Sequence, residues 1–388
     1  MSEVPSNPEN LADDIVEVAS YEATLPRTRD FLPWHLPRKQ FVRQYQWCEQ
    51  IGRLLDDAPL TDGPLKYMGL PGVDLLDLRH FHSAVCMVRN IGLRFLGFNS
   101  SASPANDAHT ELNISLDEVR RLQGVDPMSD VIGDNFALLA KEDSLACRKT
   151  RELGPYDVIN LDLCDGFGAQ APGALDQTYY NAVSSLLTLQ SRSIRPWLLL
   201  LTTRADRANV DEQVLQALLN KYTENLANCD PFRAASLEKF AIETVDALRT
   251  AANTDDGLLA IFLTGLCKWL LGLALAHQPP TSVELRSVIG YRVNRQAQHE
   301  DLISLAFRFT PTFVPATDPI GLANQQVEAP NECTLATRVL KRVAKRVDAD
   351  KKLDEAAELK QELIDATAAL LELARYDGQA YRVWVQQF

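Results

Sequence analysis

The sequence predicts an α/β fold: a doubly wound, mostly parallel sheet of seven strands that finishes in an antiparallel hairpin, with a helical insertion and a C-terminal helical tail. Four observations carry this expectation. Short apolar runs alternate with helix-period segments from residue 65 to residue 202, the rhythm of strands joined by helical crossovers. Residues 156–163 form an apolar run set off by the Gly154-Pro155 turn, as a strand covered on both faces would. That run stops at Asp162, Asp165, Gly166 and Gly168, so carboxylates fall at the sheet edge where open α/β folds bind ligands. Finally, two strand-like stretches, 283–293 and 302–310, flank a polar segment suited to a hairpin loop.

Composition sets the outer limits. With 388 residues, 46% of them apolar, the chain can bury a sizeable core in one large or two ordinary domains. A net charge of −13 and a pI of about 5.0 argue against a surface coated for nucleic acid and leave only local basic patches for it. The cysteines are Cys48, Cys86, Cys147, Cys164, Cys229, Cys267 and Cys333. They are odd in number, widely spaced and without a CxxC pair, so reduced, mostly buried thiols are expected, not a disulfide framework or a zinc site. The N-terminus is acidic and shows no secretory signal. Residues 258–276 are long and apolar, but Lys268 and two glycines interrupt them; a buried core helix is expected, with no membrane span and a cytoplasmic location.

Taken in order, residues 1–26 hold Glu3, Glu9, Asp13, Asp14, Glu17 and Glu22 without Lys or Arg, and read as a flexible acidic segment. Residues 27–58 are a basic and aromatic strap followed by a helix over about 39–55, with Phe41, Tyr45, Cys48, Ile51 and Leu55 at helical spacing. The α/β domain takes 59–315. Its elements are a strand at 65–70, a helix at 73–88, a strand at 91–98 and a polar loop at 99–113. Ser115 to Glu118 is a capping box that starts a helix reaching about 123. A strand at 131–134, a helix at 136–151, the strand at 156–163, a helix at 177–190 and a strand at 196–202 follow. A helical insertion fills about 205–278, then comes the hairpin. A linker, 316–332, leads to the tail, 333–388, read as one helix to about residue 374 with a break near 348–350. The tail helix is basic in its first half, at Arg338, Lys341, Arg342, Lys345 and Arg346. Its second half carries a heptad-like seam of Ala356, Leu359, Leu363, Ala366, Leu370 and Leu373. Two readings stand for it: an amphipathic helix packed on its own domain, or a coiled-coil surface for a protein partner or self-association.

The order of elements over roughly residues 60–315 resembles the class I S-adenosylmethionine-dependent methyltransferases. In that family a glycine-rich loop after the first strand passes under the cofactor, polar groups after the second and third strands hold its ribose and adenine, and the loop after the fourth faces the reacting group. The resemblance implies that Gly69 and Gly72 of the Gly-Leu-Pro-Gly turn, Asn99 and Asp134 bind S-adenosylmethionine. It implies that Asp162 and Asp165 face the methyl acceptor as catalytic residues, and that Arg292 and residues 307–311 lie in the hairpin. It also implies the strand order 3-2-1-4-5-7-6. The chain departs from the family's pattern in two places. Its first loop has a proline, which removes a backbone donor, and no acid just before it; its second position is Asn, a weaker acceptor than a carboxylate.

The Trp34 to Lys39 stretch is basic and aromatic in an acidic chain, and His35, Arg38 and Lys39 are candidates for phosphate or cofactor contacts. It is broadly similar to the His/Lys-containing first helix of the three-Cys-motif partner proteins, whose turn after strand four also resembles Asp165 to Gly168. The alternative for this stretch is a surface strap anchored by Trp34. Cys164 has no His partner in sequence, and His80 and His82 are two apart on a helix and face different ways, so neither a thiol nucleophile nor a metal site is expected. Three functions follow: a methyltransferase-like protein acting on a nucleic acid or small substrate, a cofactor-less scaffold subunit of a larger and nucleic-acid-handling assembly, or a metal-dependent enzyme using Asp162 and Asp165. The third lacks a further acid at recognisable spacing.

Overall fold

A computed structural model describes residues 29–163, 166–169, 178–278, 280–293, 299–312 and 330–388. The chain enters through α1 (Pro37–Val42), one π-helical stretch (Arg43–Cys48) and α2 (Glu49–Asp57), which run on without interruption. The helix starts two residues before its expected position because Pro37 sits at the first helical position, where a missing N–H costs nothing. Strands and helices then alternate: β1 (Leu65–Gly69), α3 (Leu76–Phe81) with a π-helical extension (His82–Met87), β2 (Leu93–Phe98), α4 (His109–Arg120), β3 (Asp130–Ile132), α5 (Leu145–Leu153), β4 (Val158–Asp162), α6 (Tyr179–Gln190) and β5 (Trp197–Arg204). The insertion is helical: α7 (Glu212–Asn228), α8 (Asp230–Phe240), α9 (Val245–Ala251) and α10 (Asp255–Leu275). The hairpin β6 (Thr281–Tyr291) and β7 (Leu302–Pro311) follows. The tail is α11 (Glu332–Val343), β8 (Val347–Asp348), α12 (Ala349–Glu355), α13 (Ala357–Glu372) and α14 (Gly378–Val385).

The sheet order is β3-β2-β1-β4-β5-β7-β6-β8. β1 to β5 are parallel and β7 is antiparallel to both β5 and β6. The first seven positions are those implied by the methyltransferase resemblance. The eighth is the break expected near 348–350, which turns out to be a two-residue strand parallel to β6 at Ile289 and Gly290. One face of the sheet is covered by α5 to α8, α10 and α11, the other by α1 to α4 and by α12 and α13.

Four expectations are corrected. Ser115 does not cap a helix: it lies buried inside α4, which starts at His109, because Leu112, Leu116 and Val119 carry one apolar face through it. The segment 136–151 is a short 3-10 turn (Phe136–Ala140) followed by α5, which Ser144 caps through the Cys147 N–H. The tail is not one long helix, and its seam is not a free coiled-coil stripe. Leu363 packs into the core beneath α1 and α3, Leu370 into a small cluster with Leu36 and Tyr381, while Leu373 stays exposed. Cys229 and Cys333 are joined by a disulfide that ties α8 to α11 across a sequence separation of 104. Among the described residues Cys86, Cys147 and Cys267 are buried free thiols and Cys48 is partly buried. The long apolar helix α10 is mostly buried. Lys268 is tolerated inside it because its ammonium donates to the Lys221 carbonyl at 2.5 Å and to Asn225, with Glu332 at 3.6 Å.

Candidate functional site

The carboxyl ends of β1, β2, β3, β4 and β6 converge on the edge where a ligand of this fold would sit. Most of the candidate residues there are engaged with the protein itself. The ring of Tyr67 lies over Gly69, so that a Cβ on Gly69 would fall 2.7 Å from the Tyr67 hydroxyl. Pro71 is buried and presses on β2, where only glycine fits: a Cβ on Gly97 would be 2.8 Å from Pro71 Cγ and 2.9 Å from Val131 Cγ2. Asn99 fastens that loop down. Its Nδ2 donates to the Pro71 carbonyl at 2.8 Å, and its Oδ1 accepts from the Ser101 N–H at 2.8 Å. Asp134 reaches the start of α5, where its Oδ2 accepts from the Ala146 N–H at 2.9 Å, a favourable place for an acid. Gly72 alone faces open space, with nothing within 4 Å of an added Cβ.

The end of β4 is closed by α1. Lys39 Nζ lies 2.6 Å and 2.7 Å from the two carboxylate oxygens of Asp162, and 4.5 Å from the centre of the Trp47 ring. Lys39 is almost wholly buried, while Asp162 keeps about a quarter of its side chain exposed. Burial pushes the Lys39 ammonium down, but Asp162 leads the groups that outweigh it, and the lysine is held above its ordinary range. One turn further along the same helix face, Arg43 pairs with Asp77 of α3 at 2.7 Å. Burial raises Asp77, and Arg43 and Lys39 more than offset it, holding the carboxyl below the usual range. Gln40 Nε2 sits 3.4 Å from His80 Nδ1. Burial, reinforced by Arg43, pushes His80 down to about 4 and His35 down to about 3, so both rings are neutral. Tyr291, at the end of β6, is also buried beside Lys39 and pushed up to about 12. His35 Nε2, Gln40 Oε1, Arg43 Nη1 and His80 Nε2 are buried without a hydrogen-bond partner among the described residues.

Of the strap residues, Lys39 joins Asp162, His35 anchors the strap, and Arg38 turns to the neighbouring edge. His35 accepts from the Leu32 N–H at 3.1 Å through Nδ1, and its carbonyl accepts from the Tyr381 hydroxyl at 2.7 Å. Arg38 donates to the Arg292 carbonyl and pairs with Asp350 at 3.2 Å, beside a cavity of about 250 Å³. Asp165 and Cys164 lie outside the described residues. Sequence reasoning missed Arg43, Asp77 and Gln40. The available signal was Arg43 four residues after Lys39, and an acid set inside the apolar Leu75 to Phe81 run. Among the described residues no group of three His, Cys, Asp or Glu side chains is placed to hold a metal.

S-adenosylmethionine carries a cationic sulfonium, and the site does not fit it well. The Asn99 amide and one Asp134 oxygen are bonded internally, and Asp162, the acid that could balance the sulfonium, is already neutralised by the Lys39 ammonium.

A family model described as PP_RS20740-like matches residues 28–386. No match is found among curated protein sequences. Among solved structures, a candidate class I S-adenosylmethionine-dependent methyltransferase from Listeria monocytogenes is 8% identical, covers 81% of this chain and 73% of its own, and has a TM-score of 0.32. Loganic acid methyltransferase, solved with SAH, is 7% identical, covers 73% of this chain and 98% of its own, and has a TM-score of 0.34. The family match runs through the strap, the sheet and the tail, and the chain belongs to the PP_RS20740-like family.

Proposed function

We propose that this protein is a methyltransferase-like scaffold that acts as a subunit of a larger assembly rather than as a methyl-transferring enzyme. The carrying observation is the buried Lys39–Asp162 pair, which sets an ammonium on the carboxylate that the methyltransferase resemblance assigns to the acceptor. An enzyme of this kind gains its rate by positioning the acceptor against the bound cofactor. A carboxylate already chelated by a buried ammonium is a poor base and a poor acceptor clamp, because breaking a buried pair from one side costs about 3–5 kcal/mol. The packing of Pro71 on Gly97 and the internal bonds of Asn99 and Asp134 support the same conclusion.

Isothermal calorimetry with S-adenosylmethionine tests this on the full chain. No saturable heat is expected with cofactor up to roughly 1 mM, a limit of about −4 kcal/mol. Binding by wild type that is lost in Asp134→Ala overturns the proposal. That result is the mark of the second reading, a cofactor-binding methyltransferase-like protein, which the open space at Gly72 favours.

A further inference from the structure

We propose that the open edge of β6, beside the basic face of α11, is a docking groove for an acidic, extended peptide segment of a partner protein. This rests on the scaffold reading and names the chemistry of what the scaffold holds. β6 pairs with β7 along Thr281–Tyr291, but on its other side β8 covers only Ile289 and Gly290. Residues 281–287 therefore have a strand neighbour on one side alone among the described residues. β8 shows that this edge accepts a strand: the chain already pairs two of its own residues there. Upstream of β8 the edge opens into a groove of about 270 Å³ whose apolar floor is Val283, Leu285 and Leu335.

The wall of the groove is Arg338, Lys341, Arg342 and Lys345, all exposed. None of the four makes an ion pair among the described residues, in a chain whose net charge is −13. Arg346, next in line, is paired with Asp256 at 3.1 Å and Glu300 at 3.3 Å, so pairing is available on this surface and these four lie outside it. The nearby acids are already occupied: Glu284 with Arg286 at 2.9 Å, and Glu238 with Lys239 at 2.6 Å, where Lys341 acts on Glu238 through space without an ion pair. A bare edge is normally guarded by like charge, which repels a second copy of itself. The strand that such a guard admits is an acidic one. Main-chain bonds to the edge would give the affinity, and alternate side chains would lie against the apolar floor. Among the described residues no aromatic side chain lines the groove, which disfavours single-stranded nucleic acid, whose bases need stacking platforms.

The test is fluorescence anisotropy of a labelled peptide of alternating Glu and Val, added to the full-length protein. Saturable binding is expected, weaker at higher salt. The double variant Arg338→Ser/Arg342→Ser should bind about tenfold more weakly, the combined effect of two exposed ion pairs. Both positions are on the surface, and circular dichroism checks that the variant is folded. The same peptide N-methylated at alternate residues should lose binding, because strand pairing needs its N–H groups. Absence of saturable binding, equal binding of the N-methylated peptide, or tighter binding of a single-stranded oligonucleotide of the same charge would each overturn the proposal. Cofactor calorimetry is a separate measurement, so failure of the groove and failure of the scaffold reading are told apart.

Discussion

Asp162→Ala isolates the interaction on which the proposed function turns. The substitution leaves the Lys39 ammonium with 5% of its side chain exposed and its main counter-ion gone. Breaking a buried pair from one side costs about 3–5 kcal/mol. Because Asp162 keeps 24% of its side chain exposed, the lower end applies, about 3 kcal/mol. Unfolding 388 residues carries an entropy of about 0.8 kcal/mol/K, so Tm should fall by about 4 °C. Removing both charges in Lys39→Met/Asp162→Leu should recover most of this, since an apolar pair leaves nothing unpaired. The pH dependence separates a charge effect from lost packing. In wild type Lys39 is held above its ordinary range, so its contribution is fully present below the unfolded lysine value and is lost only as pH rises through the higher folded value. In the variant, burial pushes the same lysine down without Asp162 to oppose it. The unfolded state then binds more protons than the folded one, and the variant should regain stability as pH rises toward about 10. Urea denaturation of the three proteins across neutral and alkaline pH makes the comparison. A loss below about 1 kcal/mol, a double variant as unstable as the single, or a deficit independent of pH refutes the reasoning.

Three further outcomes follow from the same neighbourhood and its supports. His35 and His80 are held at about 3 and about 4, below the unfolded value, so the unfolded state takes up protons first as pH falls. Stability should drop from about pH 6.5 downward, by about 2 kcal/mol per ring at about pH 5. The double variant His35→Gln/His80→Gln should show a flatter profile in urea midpoints, and an unchanged slope contradicts the assignment. Cys333→Ser opens the link across 104 residues and should lower stability by about 2–4 kcal/mol without reductant, converging with wild type once reductant is added. Gly97→Ala forces a Cβ to within 2.8 Å of Pro71 and should lose about 1–3 kcal/mol by thermal denaturation; a neutral result would mean that the loop can lift off β2.

Much of the sheet was legible because strand burial writes itself into the sequence. The runs that became β1, β4 and β5 are apolar or turn-bounded, and the β6/β7 hairpin is two long strands across a polar gap. β8 was not legible: two residues between helices have no period, and only the neighbouring β6 edge makes them a strand. The α4 start was misplaced because Ser115 satisfies a local capping pattern while Leu112, four residues before Leu116, continues the apolar face beneath it; burial outweighed the cap. The disulfide escaped because pairing depends on α8 lying against α11, and no spacing rule reaches across 104 residues. In the site, Asp162 and Lys39 were each singled out, but as members of different groups. Their meeting requires the fold of α1 across the carboxyl edge, which is a tertiary fact.

That fold also explains why the strap is not a simple lid. A lid has few contacts and opens without disturbing the scaffold. Here the strap is bonded on three sides. Arg29 pairs with Asp74 and Glu111 and donates to the Ala374 carbonyl. His35 holds the Tyr381 hydroxyl, and Arg38 holds Asp350. Leu36 is buried in a cluster with Ile364, Ala368 and Leu371 of α13. Lifting Lys39 from Asp162 would therefore strain the contacts that bind the first helix to the tail, as well as break a buried ion pair. The tail and the strap close the carboxyl edge of the sheet together. The tail clamps the carboxyl edge from one face of the sheet, while α11 turns to the other a basic face whose Arg338, Lys341 and Arg342 make no ion pair among the described residues, the arrangement that the proposed scaffold requires.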